Sequence, residues 1–204
     1  MKALILIDLQ NDFMSWGSVP IEGSDEVIPL ANRLMEQFDL VLASQDWHPA
    51  NHNCFAANHP WRMPGQVIEI DDNIQLLWTM HCVQESFGAE LGVELDTDKI
   101  SKIFRKGTNA GMDSYSVFFE NNHKKSNGLD EYLKTQQVDE IFIIGIMTDF
   151  GVKQTAKDAV KLGYQTNVII DGCRWYDSSK ENIEKTISEM KRDGVKIIHS
   201  DDLK

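Results

Sequence analysis

Two hydrophobic periods alternate along the chain. Short strand-like runs, ALILID (3–8), LVLAS (40–44), KIFRK (102–106), EIFIIGI (140–146), TNVII (166–170) and VKIIH (195–199), are interspersed with longer amphipathic stretches. Those stretches are SDEVIPLANRLMEQF (24–38), GLDEYLKTQ (128–136), DFGVKQTAKDAVKLG (149–163) and SKENIEKTISEMKRDG (179–194). The first pattern predicts strands and the second predicts helices. Ser24 is placed to cap the first helix, with Asp25 and Glu26 in the turn where carboxylates favour the helix dipole. Strands apolar on both faces, alternating with amphipathic helices, imply a parallel sheet covered on both sides. Ligands of such a sheet bind outside the carboxyl ends of its strands.

Composition narrows the partners. A chain of 204 residues with 42% hydrophobic content can build one sizeable core, and residues 1–204 are expected to form one domain. Twenty basic against 32 acidic residues leave a net charge of −12, which argues against nucleic acid or an anionic membrane as the main partner. A small neutral or cationic substrate fits better. The longest apolar run, Ile141 to Met147, is far short of a bilayer span, and the first residues enter a strand rather than a signal peptide. A cytoplasmic location is expected. A homo-oligomer is compatible with this charge, which sets no subunit number. Cys54, Cys82 and Cys173 are odd in number and include no CxxC pair, so all three are expected reduced, each a small buried hydrophobe.

Polar residues collect at the predicted strand ends. Asp8 ends the first strand and Lys106 another; they could cap a loop and face solvent, or meet as a buried pair with displaced pKa values. In DWHPANH, Asp46 and His48 are two apart and point to one side of an extended segment, and Pro49 turns the chain to bring His52 back. One carboxylate and two imidazoles suit a divalent ion such as zinc, iron or manganese, and His81 in LWTMHCVQ could add a ligand. The alternative is a chance cluster of histidines in a polar loop. His59, His123 and His199 are assigned to the surface. No GxSxG, GxxxxGK[ST] or GxGxxG motif occurs, which removes support for serine-hydrolase, P-loop and dinucleotide chemistry.

Six segments in order, ALILIDLQNDF, SQDWHPANHNCFA, LWTMHCVQESFGAEL, FRKGTNAGMDSYSVFF, IIGIMTDFGVKQTAKDA and DGCRWYD, resemble nicotinamidases of the isochorismatase-like (cysteine hydrolase) superfamily. The resemblance covers nearly the whole chain. It implies a doubly wound, three-layer αβα fold with a mostly parallel six-stranded sheet. It also implies Asp8 as general base, Lys106 as its cationic partner, and Asp46, His48, His52 and His81 as ligands of one divalent metal, zinc foremost. That metal would hold the pyridine nitrogen of nicotinamide, with Phe13 and Trp78 lining the pocket. A cis peptide joining Met147 and Thr148 would aim backbone N–H groups at the oxyanion.

One position departs from the pattern. The family carries its nucleophilic cysteine in a TDxC context, and this chain reads TDFG, with Gly151 at that place. Three accounts compete. The chain is an altered nicotinamidase, natural or engineered, that still binds metal and ligand; or it resembles the isochorismatases, which carry glycine there and use the aspartate with water to cleave a vinyl ether; or water in the vacated space hydrolyses the amide. A non-catalytic protein that holds a pyridine ligand is the rival outside enzymes. The DWHxxxH and HCVQ elements weigh toward the nicotinamidase lineage, whose reaction converts nicotinamide to nicotinate and ammonia in NAD salvage and extends to pyrazinamide.

Overall fold

Every predicted strand forms. The structure is a computed structural model that describes residues 1–70 and 72–203. Its strands are β1 (Lys2–Ile7), β2 (Leu40–Asp46), β3 (Val67–Ile70), β4 (Asn73–Leu76), β5 (Lys102–Lys106), β6 (Glu140–Ile146), β7 (Gln165–Arg174) and β8 (Lys196–Ile198). β3 and β4 pair antiparallel in a separate hairpin. The other six make one sheet of order β5-β2-β1-β6-β7-β8, and every pairing in it is parallel.

Alternation along β1 explains the layers. Leu4 and Leu6 enter one core with Val27, Ala31 and Leu34 of helix α1 (Val27–Met35). Ala3, Ile5 and Ile7 enter the other, with Leu133 of α2 (Leu129–Thr135), Ala156 and Ala159 of α3 (Lys153–Lys161) and Met190 of α4 (Lys180–Arg192). Both faces are therefore buried, as continuous apolar strands require. From β1 the chain winds through β2 to β5, then returns to place β6 on the other side of β1. The carboxyl ends of β1 and β6 thus flank a topological switch point, the place where doubly wound sheets bind ligands.

Local departures have local causes. Ser24 does not cap α1: Glu26 N–H already bonds Gly23 O (3.1 Å), Val27 N–H bonds Ser24 O, and the chain opens with a tight turn over Ser24–Glu26. The Ser24 hydroxyl is left buried without a partner. The helix expected from 149 begins instead with a wide turn over Thr148–Val152, closed by Val152 N–H on Met147 O (3.2 Å), and α3 starts at Lys153. β7 outlasts the predicted 166–170 because Cys173 and Arg174 continue the pairing, opposite Gly145 and Ile146. The hairpin escaped prediction because its alternating, half-exposed strands contain no long apolar run. Among the described residues no helix is long and apolar enough to cross a membrane.

Candidate active site

The site grows from three adjacent strand ends. Lys106 and Asp46, the last residues of β5 and β2, are register partners, and Asp8 follows β1 directly. Lys106 Nζ lies 2.8 Å from Asp8 Oδ2 and 2.5 Å from Asp46 Oδ1, with all three residues buried. Ser44 Oγ donates to Asp8 Oδ1 (2.6 Å) and accepts from Asp8 N–H (3.1 Å). Burial pushes the Asp8 carboxyl up to about 7, with Lys106 opposing the rise and Asp46 adding to it. Burial acts the same way on Asp46, but Lys106, His48 and His81 outweigh it and hold that carboxyl below its ordinary value. For Lys106 burial favours the neutral amine, and the two carboxylates overcome it, keeping the ammonium charged. Asp8 is therefore a carboxyl poised near neutrality, a pKa that suits a general base.

Beyond Asp46 the chain stays extended and gathers histidines. His48 N–H donates to Cys82 O (3.0 Å) and Gln84 N–H to His48 O (2.8 Å), which lays the 81–84 segment alongside. Donor atoms of Asp46, His48 and His81 consequently lie within 4.8 Å of one another, all buried. Their outer hydrogen bonds set the tautomers: His48 Nδ1 pairs with Gly107 O (3.0 Å) and His81 Nδ1 with Thr79 O (2.8 Å). A carbonyl only accepts, so each Nδ1 carries the proton and each Nε2 keeps its lone pair, as in metal-binding imidazoles. Gly107, at φ 63°, lets the backbone come this close, since a Cβ there would run into the His48 ring.

His52 is arranged differently. Pro49 does turn the chain, and the His48 and His52 rings lie 4.4 Å apart. Yet His52 groups with His48 and Cys54 rather than with Asp46 and His81. Its Nδ1 accepts from Cys54 N–H (3.0 Å), so the neutral ring carries its proton on Nε2, a buried atom without a partner. A proton there occupies the lone pair a metal would need.

The exit of β6 forms the opposite wall. The cis peptide lies between Ile146 and Met147, one residue before the expected Met147-Thr148, because the strand ends at Ile146 and the turn starts there. Thr148 Oγ1 donates to Arg174 O (2.7 Å) and ties the turn to β7. Asp8, Asp46, His48, His81 and Lys106 line a single cavity with Met147 and Gly151, under Trp78, Tyr115 and Phe150. A Cβ at Gly151 would meet Ile7 Cγ2 at 3.1 Å, Asp8 Oδ2 at 3.3 Å and Tyr115 O at 3.5 Å. Residue 151 thus faces the Asp8 carboxylate, and a side chain there fits once Ile7 and Asp8 give by a few tenths of an ångström.

This constellation has counterparts among known proteins. The isochorismatase domain model matches residues 2–202. The nicotinamidase of Escherichia coli (strain K12) is 41% identical over 201 residues, which cover 95% of this chain and 92% of that protein. The chain belongs to the nicotinamidase/pyrazinamidase family. It is a hydrolase family of amide substrates within the isochorismatase-like superfamily. The structure of the Acinetobacter baumannii nicotinamidase/pyrazinamidase superposes with TM-score 0.95 at 41% identity, covering 100% of this chain and 98% of that one. The yeast nicotinamidase bound to the inhibitor nicotinaldehyde gives TM-score 0.92 at 31% identity over 98% and 100% of the two chains. The Pyrococcus horikoshii pyrazinamidase in complex with zinc gives 0.79 at 31% identity over 97% and 98%.

Within this nicotinamidase-family fold the predicted residues separate. Trp78 lines the cavity, whereas Phe13 stands behind His81, ring centroids 5.5 Å apart, and is not among the lining residues. His199 and His123 are exposed as expected, His123 reaching the buried Asp158 (3.1 Å), whereas His59 is half-buried and bonds Asn53 O (2.9 Å). The three cysteines are free and buried. Asp113, Tyr115 and Phe150 were missed as lining residues. Two of them sit in the GMDSYSVFF segment, whose polar spacing alone gives no sign of a pocket.

Proposed function

We propose that this chain, taken as one hydrolase domain over residues 1–204, binds nicotinamide beside a divalent metal and lacks the nucleophile for turnover; Asp71 and Lys204 lie outside the described residues. The observation that carries the reading is the position of residue 151, within van der Waals reach of the Asp8 carboxylate and bearing no side chain. With cysteine there, Asp8 would take the thiol proton and the thiolate would attack the carboxamide carbon. Asp8 would then return the proton to the departing ammonia, and water would release the acid from the thioester. Lys106 keeps Asp8 in place and offsets the charge on Asp46.

Asp46, His48 and His81 are the residues we assign to the metal, and their tautomers and burial fit it; His52 is left out of that set. The same donor chemistry accepts zinc, iron or manganese, and the zinc complex of the Pyrococcus horikoshii relative favours zinc. When bound, the ion supplies a Lewis acid to hold the pyridine nitrogen. Trp78, Phe150 and Tyr115 wall in the ring and exclude water, and pyrazinamide fits the same description.

A second reading has one observation in its favour: the place of the missing Cβ, 3.3 Å from Asp8 Oδ2, also suits a water that Asp8 could activate. That water could serve an isochorismatase-like reaction or slow amide hydrolysis. The intact metal triad weighs against the first, and loss of a nucleophile that acts with its base costs orders of magnitude for the second. Ammonia release from nicotinamide decides, measured for the zinc-loaded chain and for Gly151→Cys. The expected result is turnover by the cysteine variant alone. Comparable rates in both would show that the water suffices, and no turnover by either zinc-loaded protein would sink the nicotinamide reading. Nicotinamide binding without turnover by the natural sequence would identify a ligand-binding protein.

A further inference from the structure

We infer that Asp12 is a positioning residue for the metal site, holding the turn that presents His81; the inference rests on the metal reading above. The segment that follows β1 carries more than the base. Four residues beyond Asp8, Asp12 Oδ2 accepts the backbone N–H of Cys82 at 2.6 Å, the residue next to His81. The carbonyl of the same Cys82 accepts from His48 N–H at 3.0 Å. Cys82 is thus held on one side by Asp12 and on the other by a metal-ligand residue, and it sits at φ 46°, a left-handed conformation that a side-chain-bearing residue keeps only when its surroundings enforce it.

Gln10 performs the matching task for Asp46. Its fully buried amide donates to Asp46 O (2.8 Å) and accepts from Asp46 N–H (2.8 Å), gripping both backbone groups of that residue, and it also donates to Ala89 O (2.8 Å). One short peptide therefore bears the base at residue 8, braces Asp46 from residue 10 and braces the His81 turn from residue 12. The second Asp12 oxygen accepts Ser18 N–H (3.3 Å). Gly88 packs its backbone onto this carboxylate so closely that any Cβ would collide with both oxygens. A glycine at 88 is what allows Asp12 to reach Cys82.

The test is zinc affinity, measured by competition with a chromogenic chelator, together with the visible absorption of the cobalt-loaded protein, which reports ligand geometry. Asp12→Ala should weaken zinc about 10–100-fold, the usual effect of losing an outer-shell partner, and should alter the cobalt spectrum. Asp12→Asn keeps an oxygen for Cys82 N–H and should stay within a few-fold of the unsubstituted chain. Gly88→Ala, which displaces the carboxylate without deleting it, should behave like Asp12→Ala and carries the test if that variant does not fold. Equal affinity and spectra in the unsubstituted, Asp12→Ala and Gly88→Ala proteins overturn the inference alone. An Asn variant as weak as the Ala variant also overturns it, since charge rather than positioning would then be the cause. Failure of the unsubstituted chain to bind zinc overturns the metal reading and this inference with it.

Discussion

Asp149, in the TDFG turn, anchors a loop at the mouth of the site, and removing its carboxylate should loosen that loop measurably. The buried carboxylate accepts Tyr176 N–H (2.9 Å), Asp177 N–H (3.0 Å) and Asn182 Nδ2 (3.1 Å). Tyr176 in turn packs edge-on against Trp78 and Phe150, at 5.0 and 5.8 Å between ring centroids. Three charge-assisted hydrogen bonds at roughly 1.5 kcal/mol each come to about 4–5 kcal/mol. Tyr176 and Asp177 are exposed, so water recovers about half of that for the freed donors, leaving a loss of about 2–3 kcal/mol. For a domain of this size the midpoint should fall by about 4–12 °C. Asp149→Asn should be no milder, because its amide presents a donor where the loop already supplies N–H groups. Urea unfolding of Asp149→Ala measures the loss, and hydrogen exchange at Tyr176 and Asp177 localises it. A loss below about 0.5 kcal/mol, or unchanged exchange at those two amides, would refute the anchoring role.

Two further predictions concern titratable groups. Burial pushes the Cys173 thiol up to about 12 and also raises those of Cys54 and Cys82 well above the ordinary thiol value. A chromogenic disulfide reagent near pH 8 should therefore modify none of the three until the chain unfolds, while Gly151→Cys should gain one native reactive thiol; a stoichiometric reaction of the unsubstituted folded protein would contradict this. Asp8, raised to about 7 by burial against the opposing pull of Lys106, must be ionised to act as base. The kcat/KM of Gly151→Cys should then fall about tenfold per pH unit below about 7. The folded chain holds that extra proton between the ordinary carboxylate range and about 7, so the same group removes stability as pH rises through the window. A flat activity profile from about pH 5 to 7 would rule Asp8 out as the titrating base.

Much of this architecture was written in local pattern. The six sheet strands are apolar because both faces of the sheet are buried, so period and composition revealed them. Asp8, Lys106, Asp46 and His48 were legible for a related reason, since a charged or imidazole residue ending an apolar strand is displayed at the ligand-binding edge. What stayed hidden depends on contacts between distant segments. His52 fits the sequence spacing of a ligand as well as His48 does, and what distinguishes the two is the distance of His52 from the Asp46 and His81 donors and the bond from Cys54 N–H to its Nδ1. Asp113 and Tyr115 reach the cavity from a loop whose path no periodicity encodes. Gln10 and Asp12 lie in a motif that marks the family, but their bonds are to partners 36 and 70 residues away.

The consequence for Gly151 follows from how the site is wired. Asp8 is held by Ser44 and Lys106, Lys106 by the two carboxylates, Asp46 by Gln10, and His48 and His81 by carbonyls of Gly107 and Thr79. None of these bonds uses a side chain at residue 151. Asp8 and the Asp46, His48 and His81 group therefore keep their arrangement whatever stands at that position, and on the proposed reading ligand binding and bond cleavage come apart physically. On the function proposed above, recognition of a pyridine carboxamide would draw on the wired part of the cavity, whereas bond cleavage would draw on the side chain at residue 151 beside Asp8. A chain with glycine there should retain the first while lacking the second, and a single Gly151→Cys substitution, whose Cβ would meet Ile7 Cγ2 at 3.1 Å and Asp8 Oδ2 at 3.3 Å, is the smallest change that can unite them.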